Sequence, residues 1–294
     1  MPELMTEMSG TRNRTKPLKI LFRKVPPVLS ALTSPGSAQP PISRTHSLSD
    51  AELETLYQKL PVLCEAGEGI PVGRSDKVFW NAHEVTLSYQ DTTLISCIAS
   101  GSPDREAMDN FWDLVGQFPG YIVNLGNAIA YLGMESKEAT ASCPLRQVTL
   151  EPIPPAMTTP EHFAYRVGSS QVAFNHNNNR IQLPALEVTN WPGGKGLPPE
   201  QLHHLVIQMN QLACNTDSKG IIHCHYGIGR TGVLIVAAAL SQLHQQQLLS
   251  AIELPAILSE LIRQARRQRS SWFIETPEQY KALYRYGEWL CSAN

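Results

Sequence analysis

The chain has 294 residues, 42% hydrophobic and 17% charged, the balance of an ordinary globular protein with one large domain or two small ones. Its 24 basic and 26 acidic side chains give a formal charge of −2, so no global field points to nucleic acid or an anionic membrane. The longest apolar run, Val233–Leu240, is eight residues, too short for a membrane span, and six scattered cysteines without a CxxC pair argue against a disulfide scaffold or a structural zinc site.

Residues 1–48 carry seven prolines, many Ser and Thr, and six basic residues with no acid between Arg12 and Lys24. Such a composition buries too little surface to offset chain entropy, so a disordered basic tail is expected there. Nothing at the start resembles a secretory signal, and the cysteine usage suits a reducing compartment. An ordered domain is expected over 49–294. Ser49 and Glu52 make a capping box ahead of Leu53, Leu56, Tyr57 and Leu60 at helical spacing. Ser102-Pro103 reads as a second helix start, with Met108, Phe111, Trp112 and Val115 on one side.

Short apolar runs suited to buried strands are Ile95–Ala99, Tyr121–Leu125, Arg180–Val188 and Gly220–His223. Asn175–Asn179 reads as a hairpin loop between Val172–Phe174 and Arg180–Leu183. Helices are predicted over Pro198–Leu212, Thr231–Gln246 and Ala256–Arg267. A last one starts at Thr276-Pro277, where Gln279 completes a capping box, and runs through Tyr280, Leu283, Tyr284 and Trp289. Helices interspersed with short strands give an α/β domain, a mixed twisted sheet flanked by helices.

The chemistry concentrates in Gly220–Gly232, GIIHCHYGIGRTG. A strand ends at His223, Cys224 follows, and a helix starts near Arg230. Gly227 and Gly229 let the amides of His225, Tyr226, Gly227, Ile228 and Gly229 turn toward a bound anion, and the helix N-terminus adds its partial positive charge. The same field favours a thiolate at the base of the loop. Arg230, six residues after the cysteine, can grip two phosphate oxygens with its planar fork, and Thr231 offers a hydroxyl to the sulfur. A thiolate under a bound phosphate can attack phosphorus. Taken singly, Cys224 reads as a small buried hydrophobe, His223 as a core histidine and Arg230 as a surface ion-pair partner; the spacing of the set gives the signal.

This segment resembles the cysteine-dependent protein tyrosine phosphatase family, and the resemblance runs from about Leu94 to Trp289. Ile98–Pro103 resembles the family's IA-QGP stretch, Asp109–Val115 its DFW-MV helix, and Tyr121–Leu125 the strand that follows. Arg266-Arg267-Gln268-Arg269 resembles the R-QR motif and Glu275–Tyr280 the QT-EQY loop. Val188–Pro192 takes the place of the mobile WPD loop, where Trp191 serves as a hinge on the Arg269 stem. Asn190 before that tryptophan and the six-residue step from Arg269 to Glu275 resemble bacterial secreted effector phosphatases.

The pattern departs from the family at three places. Gly193 replaces the aspartate that protonates the leaving tyrosine oxygen, and general acid catalysis is worth about 10²–10⁴-fold. Glu275 replaces the water-placing glutamine, and no phosphotyrosine-recognition loop is recognisable over Arg74–His83, where Phe79 and Trp80 are the closest aromatics. Three readings follow. In the leading one the chain is a slow protein tyrosine phosphatase working through a Cys224 phosphocysteine, with Glu275, or else His225, as substitute proton carrier. In the second it is a pseudophosphatase that binds phosphorylated partners. In the third it acts on phosphoinositides or inositol phosphates, which the absence of Lys or Arg over 225–229 disfavours. Lys195 could bring a positive charge over bound phosphate. His176, His203 and His204 read as surface histidines, and Cys97, Cys143, Cys214 and Cys291 as buried or inert thiols. The expected setting is a monomer acting in a cytosol, that of a host cell if the effector resemblance holds, on a phosphotyrosine protein such as a host signalling protein. No metal, cofactor, nucleic acid or membrane span is expected.

Overall fold

A computed structural model describes residues 47–60, 81–103, 107–126, 149–152, 162–176 and 179–292. In chain order they form α1 (Asp50–Gln58), β1 (Ala82–Tyr89), β2 (Thr92–Ser100), α2 (Met108–Gln117), β3 (Ile122–Asn124), β4 (Thr149–Pro152), β5 (Arg166–His176), β6 (Asn179–Thr189), α3 (Pro199–Ala213), β7 (Ile221–His223), α4 (Arg230–Gln245), α5 (Leu254–Gln268) and α6 (Pro277–Ser292). The expected tail, Cys143, Phe79 and Trp80 lie outside the described residues.

One seven-stranded sheet runs in the order β1-β2-β7-β3-β6-β5-β4. The neighbours β2, β7, β3 and β6 are parallel, whereas β1 and the β5–β6 and β4–β5 pairs are antiparallel, which makes the sheet mixed as the sequence predicts. Side chains of successive strand residues point to opposite faces. Ile98, Ile122 and Ile221 accordingly join one apolar layer, with Phe111, Trp112, Leu114 and Val115 of α2. Their neighbours Ala99, Val123 and Ile222 join the other, under α4. Helix α4 is buried over Val233–Leu240, because a helix apolar all round has to be enclosed. It packs against α3, α5 and α6. The short central strand β7 therefore carries its end, His223, to the middle of the sheet.

The predicted capping box at Ser49 is formed: Ser49 Oγ accepts from Glu52 N–H at 3.3 Å and Glu52 Oε2 accepts from Ser49 N–H at 2.8 Å. The box at α6 closes differently. Thr276 Oγ1 accepts from Gln279 N–H at 3.3 Å, but Gln279 Oε1 reaches one residue further back, to Glu275 N–H at 2.9 Å. Helix α2 begins at Met108 with no side-chain cap, so Ser102-Pro103 is not its start; the Ser102 hydroxyl donates instead to the Cys224 carbonyl at 2.9 Å. The hairpin strands extend to His176 and from Asn179, so the Asn-rich stretch is mostly ladder rather than loop.

Two strands escaped the sequence reading, β1 and β4. On the outer side of β1, Gln268 of α5 bonds both Thr86 N–H (2.7 Å) and Thr86 C=O (2.8 Å), and Gln264 bonds Ser88 N–H and C=O, both at 3.0 Å. Alternate residues of an antiparallel edge strand point their backbone groups away from the sheet, and two glutamines one helical turn apart satisfy them here.

Candidate active site

The loop from Cys224 to Gly229 links β7 to α4. All of its carbonyls but that of Gly227 accept hydrogen bonds from other described residues. Cys224 O accepts from Ser102 Oγ, His225 O from Ser102 N–H at 3.1 Å and Tyr226 O from Arg269 Nη2 at 3.1 Å. Ile228 O accepts from the N–H groups of Gly232 (3.2 Å) and Ile274 (3.3 Å), and Gly229 O from Val233 N–H at 2.9 Å. With these carbonyls engaged, the N–H groups of residues 225–231 donate to no acceptor among the described residues. Such a row of amides opening a 16-residue helix is a site for an anion.

Backbone atoms leave no room for a side chain at Gly227, whereas at Gly229 a Cβ would press only on the ends of two side chains. Gly227 has φ +70°, and a Cβ on it would lie 2.2 Å from Ser100 O. A Cβ on Gly229 would lie 2.7 Å from Glu275 Oε2 and 2.8 Å from Gln279 Nε2. Glu275 is an exposed residue of the segment before α6, and its carboxylate is thereby set against the loop. The Gln279 side chain is buried and its Nε2 makes no hydrogen bond among the described residues.

Cys224 is 3% exposed. His223 before it is fully buried, its ring edge-on to Phe111 at 5.6 Å, and burial pushes its imidazole down to about 3, so it stays neutral. The hydroxyl of Thr231 is buried and makes no hydrogen bond among the described residues; the expected bond to the Cys224 sulfur is not formed. His225 and Tyr226 are exposed, with their rings edge-on at 4.3 Å.

Arg230 opens α4 and its Nη1 donates to Trp191 C=O at 2.9 Å. The Trp191 indole is buried and its Nε1 donates to Lys195 C=O at 3.0 Å, which folds Trp191–Lys195 into a closed turn. Gly194 has φ +70° and its carbonyl accepts from Thr276 Oγ1 at 2.6 Å. Gly193 is exposed, and a Cβ there would meet nothing within 4 Å. Asn190 has φ +67°, a left-handed conformation that asparagine tolerates better than most residues. Lys195 is exposed.

Arg269 lies beneath the loop, 5% exposed. Its Nη1 donates to Asn81 Oδ1 (2.6 Å) and His83 Nδ1 (2.9 Å), and its Nη2 to Asn81 C=O and Tyr226 C=O, both at 3.1 Å. Burial pulls the guanidinium down to about 10, opposed by the nearby Cys224 charge. These hydrogen bonds lead to β1 and the loop; the polar contacts of Trp191 lead to Arg230 and Lys195. Asn81, His83, Ser102 and Gln279 surround the site and were missed in the sequence. Ser102 and Gln279 had been assigned to helix caps, and Asn81 and His83 reach Arg269 across more than 180 residues, which leaves no local signal.

One further expectation is corrected. His203 and His204 are half-buried rather than surface groups: His203 bonds Tyr286 OH at 3.0 Å, and His204 bonds Tyr165 OH at 2.9 Å and Gln208 Nε2 at 2.8 Å. Burial lowers the basicity of both. Cys214 is exposed, while Cys97 is buried and its thiol is pushed up to about 12 by desolvation. Among the described residues no group of three or more His, Cys, Asp or Glu is placed to hold a metal ion, and no helix is long and apolar enough to cross a membrane.

Comparison with known proteins agrees with this geometry. The catalytic domain of human protein tyrosine phosphatase non-receptor type 18 superposes with a TM-score of 0.58 at 20% identity, over 78% of this chain and 81% of that one. PTPN18 solved with a HER2 phosphopeptide gives 0.57 at 21% identity, over 78% of each chain. Among curated sequences, mouse tyrosine-protein phosphatase non-receptor type 4 is 32% identical over 114 residues, 37% of this chain and 11% of that protein. Human receptor-type tyrosine-protein phosphatase F is 26% identical over 156 residues, 49% of this chain and 8% of that protein. The chain thus spans about a tenth of the length of the curated relatives it matches. The protein-tyrosine phosphatase pattern matches residues 62–287, from ahead of β1 into α6, and the chain belongs to the protein-tyrosine phosphatase family.

Proposed function

We propose that this chain hydrolyses phosphotyrosine in proteins through a phosphocysteine on Cys224. The anchoring of all the loop carbonyls but that of Gly227 carries the reading, because it leaves the amides of residues 225–231 for phosphate oxygens beside a nearly buried thiol. In the first step the Cys224 thiolate forms an S–P bond as the bond from phosphorus to the tyrosine oxygen breaks. In the second, water attacks phosphorus, the S–P bond breaks, and phosphate and thiolate are released. Arg230 and the amides take the charge on the non-bridging oxygens. The unpartnered Thr231 hydroxyl donates to the departing thiolate.

Glu275 is the substitute proton carrier in this scheme. Its carboxylate at the loop suits removal of a proton from the attacking water. His225, exposed on the loop, is the second candidate for protonating the tyrosine oxygen. With Gly193 where the family has its acid, the first step is slow. The solved HER2 phosphopeptide complexes of PTPN18 support a phosphotyrosine protein as substrate class. The effector-like features, Asn190 and the step from Arg269 to Glu275, lead us to place the substrate among signalling proteins of a host cytosol, with residues 49–294 as a monomeric catalytic unit. An export assay and sedimentation of the purified chain test those two points.

Gly193 favours a second reading, a binding module that holds phosphotyrosine with little turnover. The deciding experiment is phosphate release from a phosphotyrosine peptide in single-turnover and steady-state modes. Sustained release abolished by Cys224→Ser supports the enzyme. A stoichiometric burst of dephosphorylated peptide with no phosphate released means the phosphocysteine forms and is not hydrolysed. Tight binding without any release assigns the chain to the second reading.

A further inference from the structure

Four large hydrophobic side chains among the described residues are exposed: Ile207, Tyr226, Ile252 and Trp272. Two of them, Tyr226 at 58% and Trp272 at 57% exposed, belong to the active site's own border. Tyr226 lies within the phosphate loop. Trp272 lies in the segment 270–275 that leads from Arg269 to Glu275.

These two segments are fastened to each other. Ile274 N–H donates to Ile228 C=O at 3.3 Å, and Arg269 holds Tyr226 C=O at 3.1 Å. Tyr226 is two residues along the chain from Ile228, and Trp272 two residues from Ile274, so neither Cα stands more than about 8 Å from that bond's residues. The two rings therefore fall within the reach of a short extended peptide, which advances about 3.3 Å per residue. Their backbone is fixed from below as well. Arg266 Nε donates to Phe273 C=O at 3.1 Å, Trp272 N–H donates to Ser270 Oγ at 3.3 Å, and Phe273 packs under Gly232. Exposed aromatic rings on an anchored backbone lose little conformational freedom on contact, which is what makes Tyr and Trp efficient binding side chains.

Two of the site's cations are engaged, while Lys195 is exposed in the turn after Trp191. Arg269 is buried and Arg230 is bonded to Trp191, and Glu275, which follows this segment, is an exposed carboxylate. The border beside Trp272 is thus aromatic with a negative neighbour, a poor match for an acidic flank and a good one for an apolar flank.

We propose that Tyr226 and Trp272 form an aromatic rim that selects phosphotyrosine segments carrying an aromatic or aliphatic residue next to the phosphotyrosine. The selection rests on the phosphotyrosine site proposed above, and it sets which sequences around the phosphotyrosine are preferred.

The test uses the full chain with Cys224→Ser and a set of phosphotyrosine heptapeptides differing at the two flanking positions, which carry Leu or Phe in one group and Asp in the other. The apolar peptides are expected to bind about five-fold more tightly, the worth of one good aromatic contact. Trp272→Ala should bring that ratio within two-fold (about 0.4 kcal/mol), and Trp272→Phe should keep most of it. A loss of fold would lower binding of both groups together and leave the ratio unchanged. An equal ratio in the parent and Trp272→Ala chains with overall affinity retained, or tighter binding of the Asp peptides, overturns the rim while leaving the phosphotyrosine site standing. Failure of phosphotyrosine itself to bind, with no hydrolysis of p-nitrophenyl phosphate by the Cys224 chain, overturns the site and the rim with it.

Discussion

The Nη1 of Arg230 donates to the carbonyl of Trp191 at 2.9 Å, so the residue that opens α4 also holds the turn that contains Gly193. The Trp191–Lys195 turn is further pinned at Gly194 by Thr276 of the α6 N-terminus. The start of α4, this turn and the start of α6 are thereby one connected unit.

Because a side chain at Gly193 meets open space and its φ is not left-handed, Gly193→Asp should fold without strain. We expect kcat on a phosphotyrosine peptide to rise about 10²–10⁴-fold. Gly194→Asp serves as the control: at φ +70° the substitution is strained and the acid is one position off, so no gain is expected.

Glu275→Gln keeps size and hydrogen-bonding shape while removing the carboxylate from the loop. If that group takes the proton of the attacking water, hydrolysis of the phosphocysteine should slow about 10²-fold while its formation is unchanged, so that the intermediate accumulates. Rapid-quench measurement of burst amplitude separates the two steps, and equal loss in both would remove Glu275 from the second one.

Arg269→Met leaves Asn81 Oδ1 and Tyr226 C=O without a buried cationic donor. A loss of about 2–4 kcal/mol in unfolding free energy is expected, as for a buried hydrogen-bonded charge. Urea denaturation reads it. Freeing the Tyr226 carbonyl should also weaken inorganic phosphate as a competitive ligand, since a loop carbonyl could then turn toward the anion.

Stability should fall on the acid side through histidines that the fold keeps neutral. His223 is fully buried and its folded value is about 3 against 6.5 when free. Above about pH 6.5 both states are neutral and its contribution is whole; below it the unfolded chain takes the proton first. Stability then declines by up to about 1.4 kcal/mol per pH unit for this group until pH approaches 3. His83 acts in the same direction. Its Nδ1 accepts from Arg269, and burial followed by the Arg269 charge lowers its basicity. Urea midpoints from pH 7 to 5 should show the decline, and a flat profile would refute it.

The strand–loop–helix turn at Cys224 was legible in the sequence because its signal is local: a cysteine, two glycines and an arginine within seven positions have few alternative explanations. The central strands were legible for a similar reason, since β7 and β3 are short runs of apolar residues. Strand β1 was not, because only Val85 and Leu87 of its Glu84–Ser88 stretch are buried apolar residues, alternating with polar ones, so it makes no apolar run. Ser102 misled because Ser-Pro marks a helix start and a tight approach equally well, and only the fold brings the Cys224 carbonyl to its hydroxyl. The Arg269 network with Asn81 and His83 belongs wholly to tertiary structure.

The two glutamines of α5 on the outer side of β1 have a consequence for how partners can engage this chain. Gln264 and Gln268 occupy the backbone groups of Ser88 and Thr86, the same groups that an incoming extended segment would need for strand addition. That flank of the sheet is sealed against β-augmentation and against templated aggregation. Strand addition at Thr86 and Ser88 would first have to displace both glutamines.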